Sequence, residues 1–185
     1  MSTPLPAYDP ALPDTNYGFS YEYGVDIFIP DEAGVGKWQP IRRITAVDPQ
    51  TTPRTTEAAT YDDKGSTNAP KIGEDWTLGY QVQVQRTPTT GLYLPEVEQL
   101  MTLAGPEARG NQAFGRFRWY DKPVTGAPNP DDAYEGTGTV SINRGSTGND
   151  GVGSWTVSVT GRGSRTRIVN PFTGWVDAPV EPPAG

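Results

Sequence analysis

The side chains on which most enzymes depend are missing here: among 185 residues there is no histidine and no cysteine. Zinc sites of the usual kind, Ser-His-Asp triads and Cys-His dyads cannot be built without them. What remains is a carboxylate pair of the glycosidase type or a metal site made of oxygen ligands. Asp62-Asp63 and Asp131-Asp132 are the paired acids. Neither pair has the alternating oxygen ligands and closing Glu of a calcium loop, so both read as solvated turn residues. Glu74-Asp75 stand just before a strand and read as charges that blunt its end. Gly34-Val35-Gly36-Lys37 matches part of a phosphate-binding loop but lacks the second half of that motif and the following helix. It reads as a turn. No catalytic residue, metal ligand or cofactor site is expected.

The arginines offer a different chemistry. Arg116 and Arg118 beside Trp119 and Tyr120 could stack on bases or sugars. Alternation along one strand fits better with a core face and a salt-bridged outer face, or with an interface. Arg162, Arg165 and Arg167 follow the last clear strand. They could touch phosphate, but residues 1–75 carry 12 acids against 6 bases. Pairing with the acidic part of a neighbouring copy is the better use.

The elements that hold these residues are strands. Trp76, Leu78, Tyr80, Val82 and Val84 alternate with Thr77, Gly79, Gln81, Gln83 and Gln85, a period of two that only a strand satisfies. The polar face of that strand carries no charge, although charged residues make up 20% of the chain. Ser154, Thr156, Ser158 and Thr160 repeat the pattern against Trp155, Val157 and Val159. Further strands are expected at 21–29, 38–47, 57–61, 113–120 and 134–143, and one helix over 95–104, opened by Pro95 with Glu in its first turn and closed by Gly105. Val97, Leu100, Met101 and Ala104 should pack that helix on a sheet.

Density of Gly (22) and Pro (19), with 9 Tyr and 5 Trp in short alternating runs, favours an all-β architecture. One domain is expected over 1–185, with a Pro-rich arm at 1–17, a core at 18–170 containing a long polar loop at 48–75, and a second Pro-rich arm at 171–185. No apolar run approaches the length needed to cross a membrane, and Met1-Ser2-Thr3-Pro4-Leu5-Pro6 lacks the basic-then-apolar order of a signal peptide. A net charge of −7 argues against general affinity for nucleic acid, which is driven by cations that displace counterions from phosphate.

A strand pair, the polar run Thr60-Tyr61-Asp62-Asp63-Lys64-Gly65, Gly73-Glu74-Asp75-Trp76 leading into an alternating strand, one helix, and a Gly-rich hairpin running into Trp155–Gly163 together resemble the major tail, or tail tube, proteins of long non-contractile-tailed bacteriophages. The resemblance covers most of residues 20–165 and rests on arrangement and composition. It implies a β-sandwich or partial barrel flanked by one α-helix, in a virion structural protein without enzymatic activity, made in the host cytoplasm. Subunits would form hexameric rings whose sheets join into an inner barrel, and the rings would stack into a tube that conducts double-stranded DNA. Tape measure and tail terminator proteins would be further partners.

On that reading Thr77, Gln81, Gln83, Gln85, Ser154, Thr156, Ser158 and Thr160 are the candidate lumen lining. Asp62, Asp63, Arg116, Arg118, Arg162, Arg165 and Arg167 are candidate contacts between subunits, and the 48–75 loop and the two arms are connectors between rings. Packing of the uncharged faces against another subunit is an equal alternative. Rival readings are a sugar-binding sandwich using Trp38, Trp119 or Tyr120, a head decoration or tail terminator protein, and a hydrolase relying on carboxylates alone.

Overall fold

A computed structural model describes residues 15, 17–31, 33–145, 149 and 151–175. Most of the expected N-terminal arm, residues 32, 146–148 and 150, and the expected C-terminal arm beyond Trp175 lie outside the described residues. Among the described residues eight strands form one antiparallel sheet: β1 (Tyr23–Ile29), β2 (Lys37–Pro40), β3 (Ile44–Thr55), β4 (Lys71–Gln83), β5 (Phe114–Asp121), β6 (Ala133–Arg144), β7 (Ser154–Gly161) and β8 (Thr166–Arg167). Their order is β2-β1-β5-β6-β7-β4-β3, with β8 pairing the start of β6 beyond the end of β7. The sheet is not closed into a barrel. The all-β expectation with one helix holds, in a single continuous open sheet.

Period-two sequences bury one face of this sheet. Leu78, Tyr80 and Val82 of β4, Val157 and Val159 of β7, Val140 of β6, Phe117 and Trp119 of β5, and Val25 and Ile27 of β1 form its core. The helix α1 (Pro95–Leu103) covers this layer at β6, β5 and β1. It begins with Pro95 at its first position and Glu98 accepting the Tyr93 N–H at 2.7 Å, a carboxylate placed where the helix dipole favours it. Gly115 of β5 lets Leu103 come close, since a Cβ there would overlap the Leu103 side chain. The buried positions are Glu96, Val97, Leu100 and Leu103. Met101 and Ala104, expected on the sheet, are only half-buried, while Glu96 and Leu103 are buried.

Three expectations about loops and strands are corrected. The 38–47 strand is two strands, β2 and β3, separated at Pro40 and by Arg43, whose φ of 57° ends the extended run. Much of the 48–75 loop is strand: β3 continues to Thr55 and β4 begins at Lys71, so only 56–70 is irregular. The Thr-rich run 51–56 suits an extended backbone, and Pro49 and Pro53 stand at alternate positions where a missing N–H costs no bond to β4. Residues 57–61 form no strand. Thr60 and Asp63 instead make a capping box around a short 3-10 turn at Tyr61–Asp63, with Asp63 accepting the Thr60 N–H at 2.6 Å and its hydroxyl at 3.0 Å.

Candidate functional site

The face of the sheet turned away from α1 carries the uncharged residues. The registers Thr77↔Thr160, Gln81↔Thr156 and Gln83↔Ser154 put the polar sides of β4 and β7 next to one another. Thr139↔Thr160, Ser141↔Ser158 and Asn143↔Thr156 extend the band onto β6, while on β3 it ends at Gln50, opposite Thr77, beside the exposed Asp48, opposite Gly79. The expected residues Thr77, Gln81, Gln83, Ser154, Thr156, Ser158 and Thr160 therefore share one surface, three strands wide with β6. Gln85 lies just past the end of β4. Thr139, Ser141, Asn143 and Gln50 complete the band and were missed by the sequence reading. Their signal was there in the alternation of Thr139 and Ser141 with Val140 and Ile142, but only the register shows that they share the surface.

At one flank this surface changes character. Arg118 of β5 stands opposite Asp26 of β1, and Arg116 opposite Thr137 of β6. Asp26 is 1% exposed and accepts Arg118 Nε at 2.6 Å and the Tyr120 hydroxyl at 3.0 Å. Burial, the Asp26 charge and this hydrogen bond raise the Tyr120 hydroxyl above its ordinary pKa. Both guanidiniums lie over Trp38, at 5.3 Å for Arg116 and 4.8 Å for Arg118, and Arg116 also covers Phe28. Arg116 is held further by Glu135 at 2.7 Å.

The remaining predicted contact residues are dispersed. Arg165 pairs with Glu74 at 3.0 Å and lies 4.0 Å over Tyr134, while Arg167 pairs with Asp131 at 3.1 Å. Arg162 covers Phe114 at 4.4 Å and donates to Asn111. Lys71, then Arg165, hold the Glu74 carboxyl below its usual range against the opposing effect of burial. Four of the five arginines are thus engaged by an acid of their own chain, and the fifth by an amide and a ring. Asp63 serves its own turn, where the Thr60 N–H and hydroxyl lower its pKa. Asp62, beside it, sits at the tip of the β3–β4 hairpin, whose residues from Gln50 to Asp62 are exposed throughout.

Three of the four paired acids, Asp63, Asp131 and Asp132, are engaged within their own chain. Asp131 is committed to Arg167, and Asp132 accepts the Tyr23 hydroxyl at 3.2 Å. A concavity of about 720 Å³ is lined by residues such as Tyr21, Tyr23, Arg43, Lys122 and Trp175, with no Asp or Glu in its wall. Among the described residues no cluster of three acids could hold a metal ion. Burial lowers the Lys122 pKa in that concavity, and Asp26 partly restores it. The sugar-binding reading also loses its platform: Trp119 and Tyr120 are buried and Trp38 lies under two guanidiniums.

No helix among the described residues is long and apolar enough to cross a membrane. No protein-family model matches the chain, and no curated protein is similar to it in sequence. Among solved structures, its fold is similar to that of a chain in the tail of an empty gene transfer agent particle refined helically with C6 symmetry. The TM-score is 0.56 at 11% identity, over 83% of this chain and 100% of that one. A chain in the virion of a native gene transfer agent particle is similar as well, with a TM-score of 0.53 at 11% identity over 83% and 100%. At such identity the likeness is one of fold: this chain shares its architecture with components of gene transfer agent particles.

Proposed function

We propose that the chain is a structural virion protein, a tail tube subunit that assembles into stacked hexameric rings around a channel for double-stranded DNA. The observation that carries the reading is the uncharged surface three strands wide, on β4, β7 and β6, in a protein of net charge −7. A wall of Ser, Thr, Gln and Asn offers a passing duplex no cations to hold it, and an acidic protein around it repels phosphate weakly. The fold shared with a chain from a C6-symmetric tail supports the same reading. Tape measure and tail terminator proteins are the partners such a tube requires at its centre and its end.

Electron microscopy of the purified protein, alone and after addition of its own phage's tail initiator components, tests the proposal. Rings or tubes with a central channel are expected. A monomer by light scattering at high concentration, unchanged by those components, overturns it.

A further inference from the structure

We propose that in the unassembled chain residues 176–185 dock on their own copy, in the concavity of about 720 Å³ whose wall includes Trp175. A fixed segment delivers the chain to that place. Ile168 N–H bonds Ala133 C=O at 3.0 Å, the Asn170 side-chain amide donates to Asp121 C=O at 2.8 Å, and Trp175 Nε1 donates to Pro123 C=O at 3.0 Å. Phe172 packs edge-on against the Trp175 ring, and the Lys122 ammonium lies 4.4 Å from the centroid of that ring. Trp175 is nonetheless 47% exposed, and Tyr21 in the same wall is 57% exposed. Two aromatic rings thus stand open in a concave surface.

Charge selects the occupant. Arg43 and Lys122 bring two cations to the wall, and among the described residues neither stands in an ion pair, whereas Arg42 beside them is committed to Glu96. No acid lines the concavity, in a chain of net charge −7. Unpaired cations beside open aromatic rings suit an acidic segment with apolar side chains. Residues 176–185 read Val-Asp-Ala-Pro-Val-Glu-Pro-Pro-Ala-Gly, with two acids, three prolines and no cation. Proline-rich segments fit aromatic-lined grooves because their backbone has little freedom left to lose on docking. Asp177 comes two residues after Trp175, a span of at most about 7 Å, which brings its carboxylate within reach of the Lys122 ammonium. Glu181 comes six residues after Trp175, at most about 20 Å along the chain, enough to cross to Arg43. Attachment at Trp175 holds the segment at an effective concentration on the order of millimolar. Residues 1–14 also carry prolines, with Asp9 and Asp14, but Asp14 stands six residues before Ser20, where the wall begins. The inference does not rest on the tube reading.

With no native cysteine in the chain, a pair of nitroxide labels tests this directly, at Thr52→Cys on the exposed β3 and at Ala184→Cys. Double electron–electron resonance is measured on the full chain carrying both labels, diluted with an excess of the unlabelled parent. One narrow distance distribution is expected, broadening when Asp177→Lys and Glu181→Lys reverse the charge of the segment, and broadening again with Arg43→Glu in its place. A broad distribution without these changes, or a narrow one that the reversal leaves as it was, overturns the inference. The reversal lies outside the core, so it still decides should Arg43→Glu misfold. In a mixture of singly labelled chains, a narrow distance that dilution removes gives the concavity to the segment of a neighbouring copy and overturns the inference as well. So does a narrow distance from Ser2→Cys where Ala184→Cys shows none, which makes residues 1–14 the occupant. Failure to form rings overturns the tube reading and leaves this measurement standing.

Discussion

The indole of Trp76 lies 4.9 Å, centroid to centroid, from that of Trp119, although two strands separate β4 from β5 in the sheet. Three strand spacings of roughly 4.8 Å are spanned because the Trp76 ring lies flat over Gly161 of β7 and Gly136 of β6, where a Cβ would overlap it. Its Nε1 donates to Gly163 C=O at 2.9 Å, so the buried ring leaves no donor unmet. Replacing Gly136 or Gly161 by Ala is expected to cost about 1–3 kcal/mol through overpacking. Gly73→Ala, on the same sheet with open space at its Cβ, should change stability by less than about 0.5 kcal/mol. Urea denaturation followed by tryptophan fluorescence measures all three.

The two arginines of β5 differ in what they are worth. Asp26 is buried between Arg118 and Tyr120, so Asp26→Ala strands a guanidinium at 21% exposure and is expected to cost about 3 kcal/mol. Arg116 is half exposed in its pair with Glu135, and Arg116→Ala should cost under about 1 kcal/mol. Equal losses in chemical denaturation would contradict this ranking.

Acid should weaken the junction between the β2–β3 turn and α1. Burial alone would raise the Glu96 carboxyl, but the Arg42 guanidinium at 2.9 Å on both oxygens, with the backbone N–H groups of Glu96 and Arg42, outweighs it and holds the pKa below the ordinary glutamate range. The folded value being the lower, this contribution is present above about pH 4.3, the usual glutamate value, and is lost as pH falls through the folded value. Melting temperature should therefore drop as pH is lowered from neutrality through that range. Glu96→Gln should melt lower at pH 7 and show a flatter acid limb.

The tip of the β3–β4 hairpin offers assembly a handle separate from stability. Tyr61 is fully exposed and Ile72 largely so. Tyr61→Ser should shift the free chain's denaturation midpoint by less than about 0.5 kcal/mol, while reducing ring or tube formation in sedimentation. An unchanged sedimentation profile would remove the hairpin tip from the contact.

Charge placed on the uncharged band should change what the proposed channel does without changing the fold. Thr156→Arg with Ser158→Arg puts two exposed cations on β7. Melting should stay close to the parent's, and assemblies carrying the pair should retain short duplex DNA in a manner that falls steeply with salt. Retention equal to the parent's at low salt would take this face out of the channel.

Much of this protein is legible in its residues alone. The alternation at 76–84 and at 154–160 determined two strands and the face of each that is buried, because a pleated backbone allows no other period. Pro95 and the glutamates after it determined where the helix starts, and the missing His and Cys removed most catalytic chemistry before any fold was known. Composition could not reveal that β4 and β7 are neighbours, since strand order depends on contacts between residues about eighty positions apart, such as Thr77↔Thr160. For the same reason Thr139, Ser141 and Gln50 joined the uncharged band only through the register, and Arg118 and Arg165 turned inward to Asp26 and Glu74 instead of standing free. Pro49 and Pro53 looked like loop residues in the sequence. The pairing of β3 with β4 decided that they lie in a strand, with their missing donors on its outer edge.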